Sequence, residues 1–182
     1  WQANTVRCRL KPDVAAQWGL VDPIVEWTVE PDLGRGVPPT LLSASHALIT
    51  DILVTNAWHR PVLRSLGSPL GLWEGLAANE QQLGFAVQLL PHSADSRMNA
   101  QASAKLLLDP ESYRRLRSYT GHPMPRAHGL LENYYVSLIS LAYVSVSEGD
   151  VDAAQDVLGK MSTLIPESVI PVPERFVPML TS

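Results

Sequence analysis

The fold is decided in the stretch Asp51-Ile-Leu-Val-Thr-Asn-Ala-Trp-His-Arg-Pro61, where an apolar helical run meets an extended segment. Asn56 is one of the few non-glycine residues that tolerate the left-handed conformation with which many helices end. Arg60 precedes a proline, whose ring disfavours helical backbone angles at the residue before it. The stretch therefore predicts a helix, a cap at Asn56 and a strand, with Trp58, His59 and Arg60 at the corner between them.

Segments of alternating apolar and polar residues lie on both sides of this corner. Such alternation is typical of half-buried strands, and it predicts four of them, at residues 5–10, 24–30, 61–66 and 84–90. A loop rich in glycine and proline, at 31–39, separates the second strand from the helix that runs to about Thr55. A second helix is predicted over residues 70–81, where Leu72 and Leu76 have helical spacing.

The C-terminal third of the sequence is helical in pattern. It predicts one helix over residues 130–147, a second over 151–165, and an extended tail over 170–178. Seven positions fit the spacing of a tetratricopeptide repeat: Leu138, Leu141, Ala142, Gly149, Ala154, Leu158 and Pro166. Small residues at Ala142 and Ala154 would let two antiparallel helices approach closely. Because a solenoid needs about three repeats to be stable, we expect a helical hairpin packed on the rest of the chain.

These patterns predict an α+β fold that is mostly helical, with a small β-sheet packed by helices and a C-terminal tetratricopeptide-like αα-hairpin. With 182 residues, 46% of them hydrophobic, the chain is large enough to bury a core. Residues 1–125 are predicted to form the α+β domain with the small sheet. Residues 126–182 are predicted to form the hairpin and a proline-rich tail, packed on the first part as one unit.

Composition excludes several classes of protein. A net charge of -4 argues against nucleic acid as a partner, because phosphate contacts need clustered Lys and Arg. Cys8 is the single cysteine, so neither an intrachain disulfide nor a cysteine zinc cage can form. The longest charge-free apolar stretch, residues 134–147, is too short to span a membrane. The chain begins at Trp1, without an initiator Met, and we expect it to be part of a longer protein that carries membrane segments or an export signal.

The familiar catalytic motifs are absent from the sequence. The five histidines form no zinc-protease pair, and there is no serine-hydrolase elbow, P-loop or dinucleotide fingerprint. We therefore predict no metal, cofactor or catalytic residue. The candidate site is instead a polar corner made of Asp51, Asn56, Trp58, His59, Arg60 and Pro61.

Two roles for this corner follow from its residue types. It could bind a polar ligand such as a sugar, with Trp58 as the stacking face. Alternatively, Asn56 caps the helix, Trp58 fills the core, and Arg60 pairs with Asp51 or with a carbonyl. The second, structural role is the more common one for such residues.

The order of motifs resembles a known family. Asn56, Trp58 and Arg60-Pro61 resemble an Asn-x-Trp-Lys-Arg-Pro-like corner between a helix and a strand, with His59 here in place of Lys. The segment 84–91 resembles the family's Gly-Leu-Ala-Tyr-Arg-Leu-Val-Pro strand, and residues 131–166 resemble its final hairpin. The family is the bacterial GT-C-type protein O-mannosyltransferase-like group of multi-spanning membrane proteins, long catalogued as a domain of unknown function.

The resemblance implies a location and a function. In such proteins the membrane part transfers sugar from a lipid-linked donor, and the soluble C-terminal region lies outside the cytoplasm. This chain would be that region: periplasmic, tethered to the membrane part of the same parent chain, and without a catalytic acid. We expect it to position an acceptor polypeptide or glycan, or to stabilise the membrane enzyme.

Two other functions are compatible with the sequence. A helical-repeat protein-interaction module would need an exposed apolar groove on the final hairpin. A small hydrolase would use Asp51, His59 or His92, two of them within hydrogen-bond reach in a pocket.

Overall fold

A computed structural model describes residues 4–29, 44–66, 74–118 and 128–180. Within these residues the fold is α+β and mostly helical, which confirms the predicted class. The described residues fall into two compact units. Unit 1 contains those up to Arg64, those from Glu74 to Gln81, and Gln88–Arg97; unit 2 contains residues 65–66, Gln82–Val87 and those from Met98 onward.

The N-terminal part of unit 1 is a two-stranded antiparallel sheet. Strands β1 (Asn4–Arg9) and β2 (Ile24–Val29) pair with Val6 opposite Trp27, and helix α1 (Pro12–Gln17) connects them. The predicted alternation is confirmed, because Val25, Trp27 and Val29 are buried while the residues between them are more exposed. Residues 12–17, which carry no clear periodicity, form a helix that begins with a proline at its first turn, a position where no backbone N–H is needed.

The corner helix and its strand follow. Helix α2 (Ala44–Asn56) leads into β3 (Val62–Ser65), as the sequence predicted. A 3-10 helix (Glu74–Asn79) then precedes β4 (Glu80–Leu83) and β5 (Ala86–Leu89). Strands β3, β4 and β5 form a second sheet, in the order β3–β5–β4.

Two predictions for residues 70–90 need correction. The helix predicted to reach residue 81 ends at Asn79, and the chain continues as a strand; residues 70–73 lie outside the described part. The reason is a contact with a distant segment, since Asn79 exchanges backbone and side-chain hydrogen bonds with Leu90. The strand predicted from residue 84 begins at Ala86, because Gly84, with φ of +59°, and Phe85 form the hairpin turn.

Unit 1 has its own hydrophobic core, to which β1, β2 and α2 contribute side chains. Its buried members are Cys8, Leu10, Val14, Ala15, Val25, Trp27, Val29, Leu53, Trp58, Leu76 and Leu89. In the same unit, Arg64 and Glu80 form a two-point ion pair, with Nε to Oε1 at 2.9 Å, and both side chains are largely buried. The corner is therefore attached to a packed core.

Unit 2 is almost entirely helical. It contains α3 (Ala100–Leu107), a 3-10 turn (Pro110–Tyr113), α4 (Arg114–Arg117), α5 (His128–Ser147), α6 (Val151–Leu164), a second 3-10 turn (Glu174–Phe176) and α7 (Val177–Leu180). Asp109 caps the first 3-10 turn, since its carboxylate accepts from the Glu111 N–H. None of the helices in the described ranges is both long and apolar enough to cross a bilayer.

The tail is less extended than predicted. Residues 174–180 are helical, because Pro173 and Pro178 sit near the starts of short turns, where a missing N–H costs nothing. Phe176 packs on the unit 2 core, and Arg175 pairs with Glu132 at 2.6 Å.

Helices α5 and α6 form the expected hairpin, joined by a turn at Gly149 with φ of +84°. Ala142 and Ala154 are buried in it. The kinship with tetratricopeptide repeats stays a prediction. Leu107 and Tyr113 share one core with this hairpin, and the predicted boundary between residues 125 and 126 lies outside the described residues.

Candidate functional site at the helix–strand corner

The backbone of the corner is turned by two left-handed residues. Ala57 has φ of +42° and Trp58 has φ of +55°. The left-handed position was predicted at Asn56, which instead is the last residue of α2. The Ala57 N–H donates to the Leu53 carbonyl at 2.8 Å, and the His59 N–H donates to the Asn56 carbonyl at 2.9 Å. Each non-glycine residue in this conformation costs roughly 1 kcal/mol, so other contacts must stabilise the turn.

Asn56 is one such contact. Its side-chain amide donates to the Arg60 carbonyl at 2.8 Å, and its side-chain oxygen accepts from the Arg60 N–H at 3.3 Å. The amide therefore satisfies both backbone groups of Arg60 and closes the loop between helix and strand. Asn56 thus holds the backbone of Arg60, four positions ahead, which differs in detail from the predicted cap. Its role is structural, as expected.

Trp58 anchors the corner in the unit 1 core. Its side chain is 1% exposed, and its indole N–H donates to the Leu89 carbonyl at 3.0 Å. The Trp27 ring meets it edge to face, with centroids 6.2 Å apart, and the Trp18 indole donates to the Trp58 carbonyl at 3.3 Å. Because the ring is enclosed, it cannot stack on a ligand. The stacking role is therefore excluded, and the core role is the one observed.

The charged residues of the corner face outward. Asp51, His59, Arg60 and Pro61 are all exposed. The expected pairing of Arg60 with Asp51 does not occur, since no ion pair between the two is formed within the described ranges. One carboxylate and one guanidinium are thus presented to solvent on a rigid segment.

Asp51, Arg60 and Pro61 border an open cleft of about 630 Å³. One wall is the last part of α2, with Asp51, Ile52, Thr55 and Asn56, and the other is formed by residues 60–63. Ile52 and Leu63 contribute apolar side chains that are 49% and 54% exposed. The cleft is therefore lined by apolar side chains together with one acidic and one basic side chain.

Ile52 and Leu63 are site residues that sequence reasoning did not single out. The sequence did contain a signal for an apolar wall, because apolar residues occur around much of α2 rather than along one stripe. In the structure Leu53 is buried, while Leu48, Ile52 and Val54 are exposed. A helix that is apolar around most of its circumference usually has more than one face in contact with other groups.

The elements of a hydrolase do not come together here. His59 is exposed, and the His92 ring is hydrogen-bonded to the Ser93 carbonyl at 2.8 Å. Among the residues with described side chains, none of the hydrogen bonds joins Asp51, His59 and His92 to one another. The same part of the chain contains no cluster of His, Cys, Asp and Glu that could hold a metal ion.

No protein-family model, curated protein sequence or solved structure matches this chain.

Proposed function

We propose that this chain is a non-catalytic, extracytoplasmic domain of a membrane glycosyltransferase-like protein, and that its cleft at residues 51–63 positions the acceptor for the membrane enzyme. The observation that carries the proposal is the rigid corner. Trp58 and Asn56 hold the backbone, while Asp51 and Arg60 face solvent beside apolar surface. A site whose geometry is fixed before binding loses little conformational entropy when a ligand arrives.

The motif resemblance supports the same proposal from the sequence side. The residues that match the family's helix–strand corner, Asn56, Trp58 and Arg60-Pro61, are those that build the turn and one wall of the cleft. In this proposal the partners are the membrane-embedded part of the parent chain and an acceptor polypeptide or glycan. The chain lies in the periplasm.

The function can be tested in the membrane-bound parent protein. Asp51→Asn and Arg60→Gln remove the two charges of the cleft, whereas Asp152→Asn and Arg115→Gln remove exposed charges elsewhere in the chain and serve as matched controls. The assay follows transfer of radiolabelled mannose from a polyprenyl-linked donor to membrane polypeptides. The cleft variants raise KM for the acceptor and leave kcat unchanged, because a positioning group acts on binding rather than on chemistry. Equal KM values for cleft and control variants contradict the proposal.

Location is tested separately with an alkaline phosphatase fusion after Ser182. The reporter becomes active only after export, so an active fusion supports a periplasmic domain. An inactive fusion at normal expression level refutes that placement.

A second candidate function rests on the hairpin of unit 2. Tyr143, Val146 and Val151 are 74%, 53% and 52% exposed near the turn between α5 and α6. Exposed apolar residues close to one another often mark a protein-binding surface, which favours an interaction module as the alternative. Pull-down of the membrane part of the parent chain by the wild-type domain, lost on Tyr143→Ser with Val146→Ser, would favour this alternative over acceptor positioning.

A further inference from the structure

We infer that the ligand of the cleft at residues 51–63 is an extended polypeptide rather than a glycan, an inference that rests on the proposed function and narrows its substrate class. Three features of the corner lead to it: the place of the Trp58 ring, the nature of the cleft walls, and the position of β3 in its sheet.

The first feature concerns aromatic surface. Sugar rings are commonly held on an exposed aromatic face, and Trp58 was the residue at this corner that could have supplied one. Its ring is 1% exposed and is occupied by Trp27 and by the hydrogen bond to Leu89. The cleft is lined by none of the described aromatic residues.

The second feature is the pattern of the walls. Ile52 and Leu63 are about half exposed in the cleft, and Asp51 and Arg60 lie along it with opposite charges. Apolar side chains next to one carboxylate and one guanidinium complement a peptide in which an apolar residue is flanked by one basic and one acidic residue. A neutral oligosaccharide would leave both charges unmatched and the apolar surface poorly covered.

The third feature is the strand itself. β3 is an outer strand in the order β3–β5–β4, and among the described residues none of the strands lies on its other side. Successive residues of a strand direct their backbone groups to opposite edges, so either Val62 or Leu63 presents its N–H and C=O away from β5. Both residues line the cleft. An extended peptide lying there gains main-chain hydrogen bonds as well as side-chain contacts.

The test uses the 182-residue chain with isotope-labelled Ile, Leu and Val methyl groups. The first probe is a mixture of acetylated heptapeptides. In each peptide an apolar residue (Val, Ile, Leu or Phe) alternates with Thr, and each peptide also carries one Lys and one Glu. The second probe is mannotriose. Peptide addition shifts the Ile52 and Leu63 methyl signals, whereas mannotriose leaves them unchanged.

Variants locate the binding and control for folding. Leu63→Ser weakens peptide binding by about tenfold, the size expected when one half-exposed leucine no longer contributes apolar burial. Leu106→Ser, at a leucine that is 45% exposed in unit 2, leaves the affinity unchanged. Unaltered methyl spectra of the other residues show that each variant is folded.

The remaining outcomes separate this inference from the proposed function. If mannotriose shifts the Ile52 and Leu63 signals and the peptides do not, the polypeptide inference is overturned while acceptor positioning stands. If neither probe shifts these signals, or if the peptides shift only Val146 and Val151, both are overturned.

Discussion

Replacing Trp58 with Phe tests whether the corner is held by the indole hydrogen bond. The substitution keeps an aromatic ring in the core but removes the N–H that donates to the Leu89 carbonyl at 3.0 Å. An acceptor left unpaired in a buried site costs about 1–2 kcal/mol. The smaller ring loses about 1 kcal/mol more of apolar burial. We therefore expect the free energy of unfolding to fall by about 2–3 kcal/mol.

Trp27→Phe provides the size-matched control. Trp27 is 5% exposed and lies against the Trp58 ring, and the indole hydrogen bonds of the described residues are donated by Trp18 and Trp58 rather than by Trp27. This variant loses the ring atoms alone, so we expect a cost of about 1 kcal/mol. The difference between the two variants measures the contribution of the hydrogen bond to Leu89.

Urea unfolding followed by far-ultraviolet circular dichroism is the suitable assay, because tryptophan fluorescence changes with the substitution itself. The midpoint should fall further for Trp58→Phe than for Trp27→Phe, with similar dependence on urea concentration. Equal midpoints would show that the Leu89 contact does not fix the corner, and the proposal of a rigid cleft would then lose its physical basis.

Three further substitutions test other parts of the structure. Ala57→Gly should raise the free energy of unfolding by about 0.5 kcal/mol, because glycine accepts the positive φ of this position without the steric cost; a lower thermal midpoint would contradict the observed turn. Ser103→Ala should cost about 1–2 kcal/mol, because the buried hydroxyl accepts from the Gly84 N–H at 3.0 Å; urea unfolding measures this, and an unchanged midpoint would refute the bond. Burial, with the Glu167 carboxylate, raises the pKa of Tyr135 to about 12. The unfolded chain releases this proton near pH 10, so stability should fall as the pH rises from about 10 to 12, with Tyr135 contributing roughly 1 kcal/mol per pH unit. Tyr135→Phe should make that fall shallower, and an identical slope would be the contrary result.

Local patterns in the sequence predicted the strands and helices whose packing partners are close along the chain. β1 and β2 follow from alternation alone, because Val25, Trp27 and Val29 repeat with the period of a strand and face one core. The α5–α6 hairpin follows from helical periodicity and a glycine turn. In each case the residues that fix the structure lie within one short stretch.

Predictions failed where a distant contact decides the conformation. Residues 80 and 81 were predicted to end the helix that precedes them, yet they belong to β4, because Asn79 is hydrogen-bonded to Leu90 across a hairpin. The intrinsic tolerance of asparagine for the left-handed conformation predicted one such residue, at Asn56. They occur instead at Ala57 and Trp58, where no local preference favours them, because the Trp58 side chain is drawn into a core completed by Leu89. Tertiary packing overrides local preference at such positions.

The sequence predicted only part of the candidate site, because contacts between distant segments decide the rest. Its polar residues were identified from the motif, and the structural role of Asn56 and Trp58 was anticipated. The apolar walls at Ile52 and Leu63 were not, because a sequence pattern assigns an apolar helical residue to the core unless the neighbouring elements are known.

The strain at Ala57 and Trp58 links the fold to the proposed binding role. Two adjacent left-handed residues persist only if surrounding contacts stabilise them, and here those contacts are the buried indole and the Asn56 amide. The indole contact is buried, and the Asn56 amide binds only backbone atoms of Arg60, so the cleft side chains of Asp51, Ile52, Arg60 and Leu63 have no part in holding the turn. These four side chains line the cleft, and they can be substituted without loss of the turn. Substitutions of these four side chains should change binding without unfolding the corner, whereas substitutions of Trp58 or Asn56 should destabilise the corner itself.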